Sequence, residues 1–443
     1  MKTAPISLLL AATLLSVAGC RNLPPPATPS ALSSPGTNSP AVEVTSATNS
    51  ETKKDEEAYR QIRLLTRSLL LIRHNYVDET KVSYSNLMTS ALNGMLSSLD
   101  PYSQFLEPTE YRDLKEDTQG AFGGIGIQIG VKDNLLTVIA PIEDTPAARA
   151  GLLNGDRIIE INGQRTESLA LRDAVQKLRG TPGTKATLKI LRGRDIKDFA
   201  LVREVIRVTS VKGARFITEG IGYLRITEFS EPTAPALLEA IRKLKSQKPL
   251  NALVLDLRNN PGGLLVSAID TSELFLKAGT LVVSTRGRGD NPRQMPSYSS
   301  GHIHFTDFPM AVLVNGGSAS AAEIVAGALQ DNKRAVLVGE LTFGKGSVQN
   351  VIQLEDGYGL RLTTAHYYTP SGRCIHEKGI EPDIVVPIAT EEWPNILMKR
   401  AYTETPGLLP ESEKPANFDQ ITDRQLDRAV DLLKGILIFQ GHK

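Results

Sequence analysis

The 443-residue chain is short of several things. Two cysteines, Cys20 and Cys374, are too few for a disulfide scaffold or a Cys-rich zinc or iron–sulfur site. Charge of one sign is also missing: 50 Lys and Arg stand against 49 Asp and Glu, with six His. That argues against a basic nucleic-acid binder and against an acidic solvating tail as readings of the whole chain. Beyond the first twenty residues no apolar run approaches the ~20 residues needed to span a bilayer. What the chain does have is 41% hydrophobic and 22% charged residues, enough to bury sizeable cores. Its length suggests two to four domains at roughly 150 residues each.

The first segment addresses the compartment. Lys2 is followed by a mostly apolar stretch, Ile6 to Ala18, too short for a membrane span and built like a signal peptide over residues 1–19. Its end, Val17-Ala18-Gly19-Cys20, resembles a bacterial lipobox, in which the cysteine becomes a lipidated N-terminus; the plainer reading is a signal peptide with a chance cysteine. Lipidation at Cys20 would anchor an exported protein on the periplasmic or other extracytoplasmic face of a membrane and leave Cys374 a free thiol. Residues 20–54, rich in Pro, Ser, Thr, Ala and Asn, read as a flexible tether.

Hydrophobic periodicity divides the rest. Residues 55–117 read as a helical region, with Ile62, Leu65, Leu69 and Ile72 on one helix face, and Leu99-Asp100-Pro101-Tyr102-Ser103 breaking the pattern. Residues 118–206 carry short strands (125–131, 135–139, 157–161, 185–191) and one helix (169–178). Gly124-Ile125-Gly126-Ile127 and the later Gly155-Asp156 and Asn162-Gly163 turns together resemble a PDZ domain. That resemblance implies a loop whose N–H groups hold a terminal carboxylate while the peptide adds as a strand. Residues 207–390 alternate apolar strands (221–226, 252–257, 281–284, 310–314, 335–338 and a β-rich run over 347–366) with helices (234–244, 266–276, 320–329), predicting a mainly parallel sheet covered by helices. Residues 391–443 form a C-terminal helical region, with a helix over 423–438.

The chemistry is sought where a buried strand gives way to small residues and then a helix: Asn315-Gly316-Gly317-Ser318-Ala319-Ser320-Ala321. A helix N-terminus favours developing negative charge, but Ser there is also a common cap; Ser318 can be the cap and Ser320 a nucleophile. A serine needs a base. None of His74, His302, His304, His366, His376 and His442 stands in a sequence that marks it as one. A His302/His304 metal pair lacks companion ligands, so no metal is expected. Lys345, between Gly344 and Gly346, is the other candidate. It serves only if burial keeps it neutral, and in extended chain Gln349 lies on its face and can orient it.

The order NGGSAS–helix, ALQDNKRA, TFGKGSVQ, with LDPYS, DLRNNPGG and YYTPSGR, resembles the carboxyl-terminal processing proteases over about residues 60–390. The resemblance implies an α/β protease core with an inserted PDZ domain and a helical N-terminal region. It further implies Ser320 as nucleophile, Lys345 as general base and Gln349 as its orienting partner, with no cofactor. An oxyanion hole would be formed by the backbone of Ala321 and of Gly262 or Gly263. It places Asp331 in a family motif, too far along the helix for direct base chemistry, and Arg179 at a PDZ position that in relatives links tail binding to activation; Cys374 departs from the pattern. Substrates would be exported or envelope proteins with apolar C-terminal tails. A homodimer through either terminal region, or an adaptor protein, is left open, and no nucleic acid is expected. Two rivals stand beside this reading. Gly339–Lys345 matches the first seven positions of a P-loop, but Gly346 replaces the magnesium-binding Ser/Thr. The other rival is a peptide-binding protein with a dead protease body.

Overall fold

The computed structural model describes residues 47–441 apart from 133–134, 143, 168, 289–294, 303–304, 405–413 and 416, with side chains from residue 55. The signal peptide, the Cys20 lipobox, most of the tether, His304 and His442 lie outside the described residues. The chain falls into two compact units, Met1–Val82 and Ser83–Lys443. The first is described by helix α1 (Ala47–Asn75). It begins within the segment expected to be tether, where Glu51, Lys53 and Lys54 are good helix formers.

The second unit opens with helix α2 (Tyr84–Ser97), strand β1 (Gln104–Leu106) and helix α3 (Pro108–Gln119). Strand β2 (Ala121–Gly124) pairs with a later strand, which closes the following module at its base. That module runs through β3 (Ile127–Lys132), β4 (Leu135–Pro141), α4 (Pro146–Arg149), β5 (Arg157–Ile161), β6 (Gln164–Arg165), α5 (Leu171–Leu178), β7 (Lys185–Arg192) and β8 (Asp195–Val202). Strand β9 (Glu204–Arg207) is the partner of β2. The order β3-β4-β5-β7-β8 leaves β3 as an edge strand, with α5 packed beside it. The module has its own core of Ile125, Val138, Leu152, Ile158, Ile161, Ala174 and Ile190.

The remaining elements are β10 (Val211–Thr218), β11 (Ile221–Ile226), α6 (Thr233–Gln247), β12 (Ala252–Asp256), α7 (Leu265–Glu273), β13 (Leu281–Gly287), β14 (Met295–Tyr298), β15 (Met310–Val314), α8 (Ala321–Asp331), β16 (Val336–Gly339), β17 (Ser347–Gln353), β18 (Gly359–Tyr368), β19 (Ile384–Val385), α9 (Trp393–Glu404) and α10 (Arg424–Phe439). Strands β10-β11-β12-β15-β16-β19 make one sheet, parallel except for β10. Helices α6, α7 and α8 cover one face. Val430, Leu433 and Leu437 of α10 pack on the other, so the C-terminal region forms part of the core. Covered on both faces, β15 and β12 up to Leu255 are continuous apolar runs, and every residue of both strands, Asp256 included, is buried.

Beside this mainly parallel sheet stands a second one. Strands β1, β13, β14, β17 and β18 form a second sheet that is antiparallel throughout. The run over 347–366 folds back on itself through residues 354–358, and β13, read as a parallel core strand, pairs with the end of β18. Most β18 side chains are only half-buried, so this sheet lacks the solid apolar runs of the first.

Candidate active site

Strands β12 and β15 run side by side in parallel, so the turns at their C-terminal ends meet. This is where open α/β sheets form crevices. Asn315 laces the two turns: its Oδ1 accepts from the N–H of Asn259 (2.9 Å) and Gly317 (3.1 Å), and its Nδ2 donates to Asn259 Oδ1 (3.0 Å). Ser318 Oγ donates to the Leu257 carbonyl at 2.8 Å and accepts from Asn315 N–H at 3.0 Å. Ser318 therefore fastens the turn to β12, and the N-cap position of α8 belongs to Ser320 itself.

Ser320 holds φ at +55°, a region costly for a residue with a Cβ, roughly 1–3 kcal/mol. The conformation is fixed by its N–H, which donates to Glu323 Oε2 at 2.9 Å. The side chain is buried, near Tyr367, whose own hydroxyl burial pushes up to about 12 while the neighbouring Ser320 hydroxyl pulls it back.

The Pro261-Gly262-Gly263 turn presses against this serine. A Cβ on Gly262 would lie 2.7 Å from the Ala319 carbonyl and from Ser320 Cβ, and one on Gly263 would lie 2.0 Å from the Phe229 carbonyl, so only glycine fits. Of the three backbone donors read from the sequence, Gly262 is already engaged, donating to Asn260 Oδ1 at 2.9 Å. Among the described residues no acceptor takes the N–H of Gly263 or of Ala321, the first residue of α8. The turn is braced from below. Asp256 accepts from Tyr223 Oη (2.8 Å) and from Arg258, which also reaches Asp423 at the N-cap of α10. Burial opposes ionisation of Asp256, but Arg258 and Arg400 hold its carboxyl well below the usual carboxylate range.

Lys345 sits in the strap 340–346 between β16 and β17. Glu323, fully buried on α8, accepts from Gly344 N–H (2.7 Å), from Lys345 N–H (2.9 Å) and from the Thr342 hydroxyl. Its Oε2 thus receives the backbone N–H of Ser320 and of Lys345 at the same distance, which bounds the separation of the two nitrogens at twice that length. Burial raises the Glu323 carboxyl, and its four donors oppose that rise. The Lys345 amine donates to Gln349 Oε1 at 3.4 Å and lies 4.6 Å from the centroid of the Tyr102 ring. Burial, then repulsion from Arg361, pull the amine below the ordinary lysine range, against Asp100. Among the described residues the amine and the Ser320 hydroxyl are not hydrogen-bonded to each other; the amine's partner is Gln349.

Asp331 stands at the far end of α8. It accepts from Ser371 N–H at 2.9 Å and pairs with Arg373, tying down the YYTPSGR loop. Gly124, Ile125, Gly126 and Ile127 line a cavity of about 110 Å³ at the β3 edge together with Val175, Leu178 and Arg179. The Arg179 guanidinium lies 4.5 Å from the Phe122 ring centroid and 3.1 Å from Asp117 of α3. Sequence reading missed Glu323, Tyr102, Tyr367 and Arg361. Only Glu323 carries a local signal, the Ser-x-x-Glu spacing of a capping box at 320–323. A P-loop is excluded, because a strand follows Lys345 where that motif needs a helix.

Glu323→Ala is expected to orphan three buried backbone donors at roughly 1–3 kcal/mol each. It should lower both the melting temperature and kcat, the latter by about 100-fold. Unfolding and turnover measurements matching the parent protein would remove Glu323 from the account.

Residues 220–386 match the model for peptidase family S41, and residues 137–192 match that for a PDZ domain. The chain is 42% identical over 401 residues to a carboxy-terminal-processing protease of Bartonella bacilliformis, covering 87% of this chain and 91% of that one. The chain belongs to the carboxy-terminal-processing proteases. A carboxyl-terminal-processing protease of Synechocystis is 39% identical over 324 residues, 71% of this chain and 74% of its own. The solved structure of a photosystem II D1 C-terminal processing protease is 28% identical, with a TM-score of 0.43 over 73% of this chain and 92% of that one. The protease is accordingly a serine peptidase that carries a PDZ domain and acts on proteins or peptides, and the nucleotide-hydrolase and dead-protease rivals fall away.

Proposed function

We propose that the protease captures the apolar C-terminal tail of an exported protein in its PDZ groove and cleaves the chain near that tail with a Ser320–Lys345 dyad. The observation that carries this reading is the single carboxylate of Glu323 that takes the backbone N–H of both residues. The neutral Lys345 amine accepts the Ser320 hydroxyl proton as Oγ bonds to the scissile carbonyl carbon and the C=O electron pair moves onto oxygen. The N–H groups of Gly263 and Ala321 then face that oxyanion. The ammonium returns its proton to the leaving amine, and water releases the acyl-enzyme. Hydrogen bonds of this kind are often long before substrate binds and tighten afterwards.

The edge strand β3, the Gly124–Ile127 loop and helix α5 suit a peptide added as an extra strand. Arg179 lies at that groove and pairs with Asp117, so it is the candidate regulatory residue. The segment ending at Cys20 supports lipid anchoring on an extracytoplasmic face, which fits envelope substrates. Among the described residues no helix is long and apolar enough to cross a membrane.

The test compares two peptides of one sequence with an apolar tail, one ending in a free carboxylate and one amidated. The free acid is expected to be cleaved with a KM lower by about tenfold, the worth of one charge-assisted hydrogen bond. Equal KM values would overturn capture of the terminus.

A further inference from the structure

The LDPYS segment, residues 99–103, has no part in the mechanism above, yet it meets the catalytic strap directly. Asp100 builds the turn. Its Oδ1 accepts from Tyr102 N–H (2.7 Å) and Ser103 N–H (2.8 Å), and its Oδ2 accepts from Ser103 Oγ (2.7 Å). Ser103 is buried, and its hydroxyl accepts from Thr363 N–H at 3.1 Å, docking the turn on β18. Tyr102 is therefore held from both sides.

Its two chemical faces point at the base and at the amide that orients it. The carbonyl accepts from Gln349 Nε2 at 2.8 Å and from Arg361 Nε at 3.2 Å. The first bond fixes the amide so that Oε1, its only acceptor, turns to the Lys345 amine. The ring receives that same amine 4.6 Å from its centroid. An aromatic face attracts an ammonium more than a neutral amine. The contact therefore strengthens as the amine takes the serine proton, which is when positive charge appears.

Resting on the dyad reading, we propose that Tyr102 is a positioning residue for the proton transfer: its carbonyl aims Gln349, and its ring seats the Lys345 amine as it becomes charged. The charged groups around the amine are Arg361 on β18, Asp100 in the turn and Glu323 beneath the strap. Two imidazoles also flank the residues after the lysine. His366 lies opposite Ser347 in register, and the His376 backbone packs on Gly346. These groups stay the same when only the Tyr102 side chain is changed.

The sign follows. A ring that favours the ammonium raises the pH at which the amine becomes neutral. Tyr102→Leu keeps the carbonyl and removes the ring. It should move the acid limb of the kcat–pH profile downward by roughly 0.4 to 1.5 pH units, the span of a cation–ring contact. Its plateau kcat should fall by about three- to thirtyfold with KM within about twofold of the parent. Tyr102→Phe keeps ring and carbonyl and should return the limb to its parent position. Thermal unfolding reports whether the protease core of each variant is folded. A Tyr102→Leu limb that does not move overturns the proposal whatever the kcat, and so does a Tyr102→Phe limb displaced as far as that of Tyr102→Leu. Ser320→Ala and Lys345→Arg run alongside. If either retains turnover, the dyad reading fails and the Tyr102 role with it; if both are inactive and the Leu limb stays put, the Tyr102 role alone fails.

Discussion

Ser320→Ala should abolish cleavage, lowering kcat by about 10⁴-fold or more, while binding of a C-terminal tail peptide stays at parent affinity. The physical basis is the separation of tasks within the Ser83–Lys443 unit. The nucleophile stands at the N-terminus of α8, in a conformation stored at φ +55° and locked by Glu323. The tail groove is lined by β3, α5 and their flanking loop, with a core of its own. Removing one hydroxyl leaves that core and the oxyanion donors untouched. Burial of the site makes unfolding of the protease core an easy confounder, so thermal unfolding is measured on the same preparation as turnover and tail-peptide binding. Residual cleavage at a tenth of the parent rate would assign the attack to another group.

The second large effect belongs to Lys345→Arg, which should also cost about 10⁴-fold in kcat, with a near-normal KM. An arginine keeps charge and reach but cannot give up its proton below pH 12. A substitution that preserves electrostatics and removes basicity therefore separates a base from a structural cation. If Lys345 only held Gln349 in place by its charge, arginine would serve. The amine is pulled below the lysine range by burial and by Arg361, so the acid limb of activity should lie below the ordinary lysine value of about 10.4. Arg361→Gln removes a positive neighbour and should move that limb upward.

Much of this arrangement was legible in the sequence, for reasons that differ from element to element. Strand β15, and β12 up to Leu255, are solid apolar runs because helices cover both faces, and the limits of both strands are legible to within a residue. The small residues after β15 announced a tight turn into a helix, and the Gly-Lys-Gly run announced a strap open to close approach. The second sheet was harder. Half-buried strands such as β18 alternate weakly, and β10, with half-buried positions and Gly213 inside it, gave no strand pattern at all. Which serine caps α8 was not decidable locally, because the Ser318 partner is a carbonyl 61 residues away on Leu257. The same holds for Tyr102. Its role depends on contacts with Lys345 and Gln349 that are more than 240 positions distant, and no local period encodes such contacts. Glu323 is the exception, visible as a capping box yet doing more than cap: the carboxylate that would satisfy one helix end also holds the strap of the base.

The most direct measurement is a carbon NMR titration of the Lys345 side chain, assigned by the resonance lost in Lys345→Arg and run beside the pH dependence of turnover. The account requires the amine to lose its proton well below the ordinary lysine value, at the same midpoint as the acid limb of kcat. An amine that remains an ammonium throughout the range in which the protease cuts would contradict it.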